Sequence, residues 1–338
     1  MSQLRLGIVG SGLIAGVIAD AVKQVETIEL VAVSSRCPAS AQVFAEQQGI
    51  GITYENWRDM LSSAVIDAVY IATPTVCKEE IALFGAAYKK HLLVDKPFTS
   101  AESLQKIITA AGDNGVAFMD ATHFSHHPRT RQIRDEMVAA IGGPQAVRSS
   151  FFFPLMDKRN IRFDPEKEPT GAVGDMGWYA MRAITEYLEP ATAIQSVAGG
   201  IVRDDETGAV IRGCGALVFE DGKSSTFDFG YNVGVCLMDL DILGHEGMFS
   251  LSDFVLDWKS GFAFDNPEHI NGYIKRTGLA QPEGFEFIAA DSDEPQVASM
   301  MRHFALMATD PLSETARQAA ALSLKTQTLL DTYWQAVQ

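Results

Sequence analysis

The chain is poor in cysteine. Cys37, Cys77, Cys214 and Cys236 are spread over 338 residues, and no two form a CxxC pair. That spacing excludes a disulfide scaffold and a thiolate zinc frame, and it predicts reduced thiols in a cytoplasmic protein. Long apolar runs are also missing, so no membrane-spanning segment is expected. The N-terminus enters a strand pattern directly, without a cationic leader and cleavage site. Positive charge is scarce: 27 Lys and Arg stand against 43 Asp and Glu, a formal net charge of −16. Such a surface repels phosphate backbones and anionic lipids, which argues against nucleic-acid and membrane partners. It leaves room for a small anionic cofactor, because a local arginine and a helix terminus outweigh distant charge. There is no internal repeat and no low-complexity tract, so a solenoid and a long disordered region are not expected.

What the chain does have is length and apolar content for two domains, with 47% hydrophobic residues. Short apolar segments at 4–9, 29–34, 67–72, 91–94 and 116–119 read as buried strands. Segments 13–25, 39–48, 78–89 and 100–111 read as helices, with Pro38 starting the second and Ser100 capping the last. Alternation at this spacing predicts a doubly wound parallel sheet, an α/β Rossmann domain over residues 1–122. Beyond it the texture changes. Helical patterns cover 131–140 and 175–187. Alternating β runs follow at 194–202, 209–219, 224–229, 236–242 and 247–251, and a long helix covers 314–336. Residues 123–338 are therefore expected to form an α+β domain, an open, mostly antiparallel sheet with helices on one face.

The strongest local signal is Gly10-Ser11-Gly12-Leu13-Ile14-Ala15. Gly10 permits a tight strand-to-helix turn. Gly12 lets the backbone approach a pyrophosphate, and Ala15 lets the helix pack against the sheet. The motif lies between a strand and a helix and opens a βα series, which is the context that gives it weight. Gly10, Ser11, Gly12, Leu13 and Ile14 are thus candidate cofactor-binding residues. At the end of the second strand, where NAD-binding folds place an acid for the ribose, the chain has Ser34-Ser35-Arg36. Hydroxyls and a guanidinium suit a 2′-phosphate, which predicts NADP, with NAD as the alternative. The other reading of Arg36 is a solvated residue, or one stacked on adenine without discriminating.

Two further turns carry a resemblance. Ala72-Thr73-Pro74 closes the third strand and Val94-Asp95-Lys96-Pro97 the fourth. With the glycine turn, these resemble the Gfo/Idh/MocA oxidoreductase family over essentially the whole chain. Gly171-Ala172-Val173-Gly174-Asp175-Met176-Gly177-Trp178-Tyr179 is similar to the branch that includes glucose-fructose oxidoreductase and dimeric dihydrodiol dehydrogenase, where tyrosine replaces the histidine of inositol dehydrogenases. The resemblance implies an NAD(P)-dependent oxidoreductase of a sugar-like or cyclic polyol or diol substrate. It also implies cofactor contacts from Thr73, Pro74, Asp95 and Lys96, and a homodimer or homotetramer built through the C-terminal sheet. Two positions depart from the family pattern. Asp95 stands where glutamate is usual and reaches less far, and Lys78 stands where histidine is usual.

Hydride transfer needs a proton partner for the substrate oxygen. Lys96 sits at the C-terminal end of a parallel strand, where such folds bind ligands, and Pro97 keeps it out of helical geometry. It is the candidate for polarising the carbonyl. Tyr179 is the candidate proton donor, since a nearby ammonium would lower its pKa from ~10. Asp175 precedes Tyr179 by four residues. If the segment is helical the two share a face, and Asp175 either supports catalysis or caps the helix. His123 and His126 are candidate substrate contacts, as are Arg162 and Trp178, whose other readings are a solvated loop and a core ring. Arg159 and Asn160 stand beside Arg162. A metal site is not expected, because adjacent His126 and His127 point apart and Pro128 stops a helix from continuing through them. The leading expectation is an oxidoreductase using Lys96, Tyr179 and Asp175. The alternatives are a non-catalytic NADP-binding sensor or scaffold, and an enzyme whose cofactor never dissociates and shuttles hydride between two substrates.

Overall fold

A computed structural model describes residues 3–338 of the protein. The first third alternates β1 (Leu4–Val9), α1 (Leu13–Val22), β2 (Ile28–Ser34), α2 (Pro38–Gln48), β3 (Ile52–Tyr54), α3 (Trp57–Ser62), β4 (Ala68–Ile71), α4 (Lys78–Ala87), β5 (His91–Val94), α5 (Ala101–Asn114) and β6 (Phe118–Asp120). The strands form one sheet in the order β3-β2-β1-β4-β5-β6, with every pair parallel. β4 and the Leu92–Val94 stretch of β5 are buried throughout, as strands covered on both faces must be. Chain order reverses at β1, whose neighbours are β2 and β4, and the crevice at such a reversal is where open α/β sheets bind ligands. β3 and α3 were not among the expected elements. β3 is a three-residue, largely exposed edge strand, too short to show a period.

The following elements are α6 (Pro128–Ile141), β7 (Pro144–Phe152), α7 (Trp178–Ala183), β8 (Ile194–Arg203), β9 (Val210–Phe219), β10 (Ser224–Gly230), β11 (Leu237–Gly244), β12 (Gly247–Leu251), β13 (Gly272–Thr277) and β14 (Glu286–Ala289). They build an eight-stranded sheet in the order β14-β13-β12-β11-β7-β10-β9-β8. Every pair is antiparallel except β7–β10. Alternation is plain in β10, where Ser225, Phe227 and Phe229 are buried and Thr226 is exposed. α6 packs on β11 and β12, and the helical segment beginning at Val173 packs on β7, β9 and β10.

The chain ends in α8 (Gln296–Thr309) and α9 (Glu314–Val337). Contacts divide the protein into two compact units, Met1–His123 with Glu294–Leu324, and Phe124–Asp293 with Lys325–Gln338. The sequence reading placed everything from residue 123 onward in the second domain. Residues 294–324 instead join the first. Val297, Met300, Met301 and Phe304 of α8 share a core with Ala15, Ile18, Ala19 and Val22 of α1, an apolar face that would otherwise lie in water. α9 is divided between the units. Its Ser323 hydroxyl bonds Asp120 at the end of β6, while its Tyr333 hydroxyl donates to the carbonyls of Gly200 and Cys214 at 3.2 and 2.9 Å. Among the described residues no helix is long and apolar enough to cross a membrane.

Candidate active site

The two glycines of the turn after β1 are under different constraints. Gly10 has φ of +121°, and a Cβ there would sit 2.6 Å from the Ala72 carbonyl oxygen, so both conformation and space demand glycine. Gly12 differs. A Cβ there would meet nothing within 4 Å, so the protein itself does not require glycine at this position. Gly12 caps α1 with no side-chain hydrogen bond, and the helix has no acid in its first turn. Its free N–H groups and the positive end of its dipole suit an anion. Leu13 is 80% exposed beside it. The Thr73 hydroxyl, in the turn after β4, is buried without a hydrogen-bond partner. These features fit a dinucleotide laid across the turn.

The end of β2 joins the same surface. The Ser11 hydroxyl donates to the Ser35 hydroxyl at 3.0 Å, which brings the glycine turn to the predicted specificity segment. Ser34 is buried, whereas Arg36 is exposed just before α2. Asp95 closes β5 with its amide bonded to the Ile71 carbonyl at 3.1 Å, and the Lys96–Pro97 peptide is cis. Lys78, 2% exposed, reaches this turn from the start of α4. Its ammonium donates to the carbonyls of Lys96 and Pro97 at 3.0 and 2.8 Å, and to the Thr75 hydroxyl at 3.4 Å.

In the second unit, Asp175 and Tyr179 lie where regular helix geometry breaks down. Val173–Gly177 is a π-helical turn, Trp178–Ala183 is α-helical, and Ile184–Leu188 is π-helical again. The sequence reading expected one regular helix over 175–187. The wider turns re-aim side chains away from simple i, i+4 alignment, and such turns concentrate at functional sites. Asp175 accepts from the Arg162 guanidinium at 2.5 and 3.3 Å and from the Tyr231 hydroxyl at 3.0 Å. Burial, and next the Asp175 charge, hold the Tyr231 phenol well above its ordinary pKa, so it stays a donor. Arg162 is itself placed by the Asn160 side chain, which accepts from its backbone amide at 3.1 Å. The Tyr179 ring is 5% exposed and packs against Phe151 and Phe124, with centroids 5.3 and 6.1 Å away. Trp178 takes the second of its two readings. It has no accessible surface, so its ring is core rather than a substrate-facing wall, with the Arg182 guanidinium 5.6 Å from its centroid.

The histidines separate. His123 belongs to the first unit, where it is buried and its Nδ1 lies 2.9 Å from the Gln296 amide. His126 and His127 belong to the second, and His126 is half-buried in the turn before α6. His127 caps α6, its Nδ1 accepting from the Arg129 amide at 3.0 Å, while its Nε2 faces the Asn271 side chain at 3.3 Å. Burial, helped by the Arg129 charge, pushes its pKa down to about 4. The ring is therefore neutral at pH 7. Arg129 forms a buried ion pair with Asp253 at 2.7 Å. Among the described residues no group of three or more His, Cys, Asp or Glu is arranged to hold a metal.

Tyr231 carried no signal in the sequence, because its partner Asp175 lies 56 residues away. Lys78 was visible only as a departure from a family pattern. Its inward direction depends on a turn 18 and 19 residues downstream.

A parallel sheet with an uncovered helix terminus at its switch point, joined to a largely antiparallel sheet unit, defines a two-domain dinucleotide-binding class of protein. Residues 4–122 match the family profile described as "Oxidoreductase family, NAD-binding Rossmann fold", and residues 132–250 match the "GFO/IDH/MocA C-terminal domain". The chain belongs to the Gfo/Idh/MocA oxidoreductase family. It is 29% identical over 206 residues to D-xylose 1-dehydrogenase (NADP(+)) 2 of Haloferax volcanii, a match spanning 60% of this chain and 62% of that protein. It is 27% identical over 232 residues to dTDP-3,4-didehydro-2,6-dideoxy-alpha-D-glucose 3-reductase of Actinomadura kijaniata, covering 68% of this chain and 69% of that one. The solved structure of KijD10, a 3-ketoreductase from Actinomadura kijaniata in complex with NADP and TDP-benzene, superposes with a TM-score of 0.88 at 22% identity, over 100% of this chain and 98% of that one. At that identity the superposition establishes the shared fold.

Proposed function

We propose that the protein is an NADP(H)-dependent oxidoreductase that interconverts an alcohol and a carbonyl on a sugar-like or cyclic polyol or diol substrate. The observation that carries this reading is the glycine turn, where Gly12 borders open space and α1 presents uncapped amides. The pyrophosphate would lie against Gly10, Ser11, Gly12, Leu13 and Ile14. Ser35 and Arg36 would take the 2′-phosphate, and Thr73, Pro74, Asp95 and Lys96 would border the rest of the cofactor. When bound, NADPH would supply the hydride in the reducing direction and NADP+ would accept it in the oxidising one. Lys96 polarises the substrate oxygen, and Tyr179 hands it the proton in the reducing direction. Asp175 supports the tyrosine, held by Arg162 and Tyr231 rather than left to swing in solvent. His123 and His126 border the substrate. The relatives' names, a xylose dehydrogenase and a deoxysugar 3-reductase, support a sugar-type substrate. Exposed Ile274 and Phe287 on the eight-stranded sheet support self-association through that sheet as part of the same proposal.

The test combines binding with turnover. NADPH and NADH are titrated by fluorescence, then aldoses, inositols, cyclic diols and nucleotide-linked keto sugars are screened in both directions. Lys96→Met and Tyr179→Phe should each lower kcat by roughly 10²–10⁴-fold, with NADPH affinity within about threefold of wild type. Arg36→Ala should weaken NADPH at least about tenfold and leave NADH nearly unchanged. Equal loss for both dinucleotides would overturn the NADP preference. NADPH binding without turnover of any substrate would favour a sensor. A copurifying cofactor with a strict need for two substrates would favour the hydride shuttle.

A further inference from the structure

We infer that Lys78 is a positioning residue for Lys96: its buried ammonium ties down the carbonyls of Lys96 and Pro97 and so sets the backbone from which the Lys96 side chain projects. This rests on the role proposed above for Lys96. Lys78 is in an expensive place. It is 2% exposed, and a lysine that deep pays a large desolvation penalty unless several acceptors surround the ammonium. It is also the first residue of α4, where the helix dipole disfavours a cation. The acids that follow it are engaged elsewhere, Glu79 with Lys106 and Glu80 with Arg58. Contact with the turn after β5 offsets part of these penalties, at 3.0 Å to the Lys96 carbonyl and 2.8 Å to the Pro97 carbonyl. That turn leaves the sheet at Asp95, whose amide makes a ladder bond to Ile71. Pro97 has no N–H to contribute. Two successive carbonyls at this partly buried turn need donors, and one ammonium with three hydrogens serves both. The Thr75 hydroxyl, in the short 3-10 turn before α4, anchors the same ammonium from the other strand end at 3.4 Å. Lys78 thus links the turn after β4 to the turn after β5.

A catalytic group displaced by ~1 Å loses on the order of 100-fold in rate. Lys78→Met should therefore lower kcat at least about tenfold while substrate KM moves by less than about threefold. Lys78→Gln, whose shorter and uncharged side chain keeps two N–H donors, should recover part of that loss. The deciding measurement is a double-mutant cycle read together with hydrogen exchange on the NADPH-saturated protein. In a Lys96→Met background, Lys78→Met should remove almost nothing further from kcat. Exchange should rise in peptides covering residues 92–104 and stay at wild-type levels in peptides from β1 and α1. Additive losses in the cycle, or unchanged exchange at 92–104, would overturn the inference. If Lys96→Met alone leaves kcat intact, the reading of Lys96 fails instead, and the exchange result still decides whether Lys78 holds the turn. If Lys78→Met does not fold, Lys78→Gln carries the same comparison.

Discussion

The two units present their candidate chemistry in different ways. In the first, the features that matter belong to the backbone: a glycine at φ +121°, an uncapped helix terminus, and strand ends that stop at Ala72 and Asp95. In the second they belong to side chains gathered from distant places. Arg162, Asp175 and Tyr231 meet across 13 and 56 residues of chain, and Tyr179 is wedged between aromatic rings from two other segments. Backbone chemistry is encoded locally and tolerates changes around it. Side-chain networks depend on packing, and they fail when one member is altered or changes protonation state.

Acid should weaken both units, because burial lowers the pKa of His91 and His303 in the first and of His127 in the second. The folded His127 stays neutral down to about pH 4, against an ordinary value of 6.5. Between those values the unfolded chain binds the proton and the folded chain does not, so the His127 share of the stability falls as pH drops from 6.5 to about 4 and is constant below. The full loss is about 3 kcal/mol, at ~1.4 kcal/mol per pH unit. Urea melts from pH 7 to pH 4 should show at least that slope, and His127→Asn, which keeps a cap for α6, should reduce it without removing the part from His91 and His303. An identical slope in both proteins would show that His127 is not the group being titrated.

In the first unit, the two glycines should separate fold from binding. Gly10→Ala meets both a forbidden φ and the Ala72 carbonyl, and should destabilise the protein by roughly 1–3 kcal/mol. Gly12→Ala has open space and should leave the melting temperature unchanged while weakening NADPH about tenfold or more. If Gly12→Ala binds NADPH as well as wild type, the pyrophosphate does not lie there. The smallest effect is expected from Tyr231→Phe. It removes one hydrogen bond to an aspartate still held by Arg162, at a loss of about 1 kcal/mol in thermal stability. A loss much larger than that would mean Tyr231, rather than Arg162, is the main anchor of Asp175.

The same contrast explains what the sequence discloses. The parallel sheet, the glycine turn and the Asp95-Lys96-Pro97 strand end follow from short contiguous patterns, and the structure has them. β7 escapes because Arg148, Ser149 and Ser150 interrupt any alternation, yet it is the strand between β10 and β11. Its burial comes from neighbours more than 70 residues away in sequence. α8 carries an i, i+3, i+4, i+7 apolar face in Val297, Met300, Met301 and Phe304. The helix was nevertheless not among the expected elements, and nothing in that pattern says that it joins the first unit's core. The π-helical turns around Asp175 are equally silent, because nothing in Val173–Gly177 distinguishes a wide turn from a regular one.

The most direct test of the central claim follows the hydride itself. The protein is given NADPH deuterated at the transferring position of the nicotinamide, together with the carbonyl compound that turns over best, and the product is analysed by mass spectrometry. Deuterium on the carbinol carbon in wild type, with its rate of appearance cut by roughly 10²-fold or more in Lys96→Met and in Tyr179→Phe, is the predicted result. NADPH that binds tightly but keeps its deuterium, or label transfer undiminished in both variants, would contradict it.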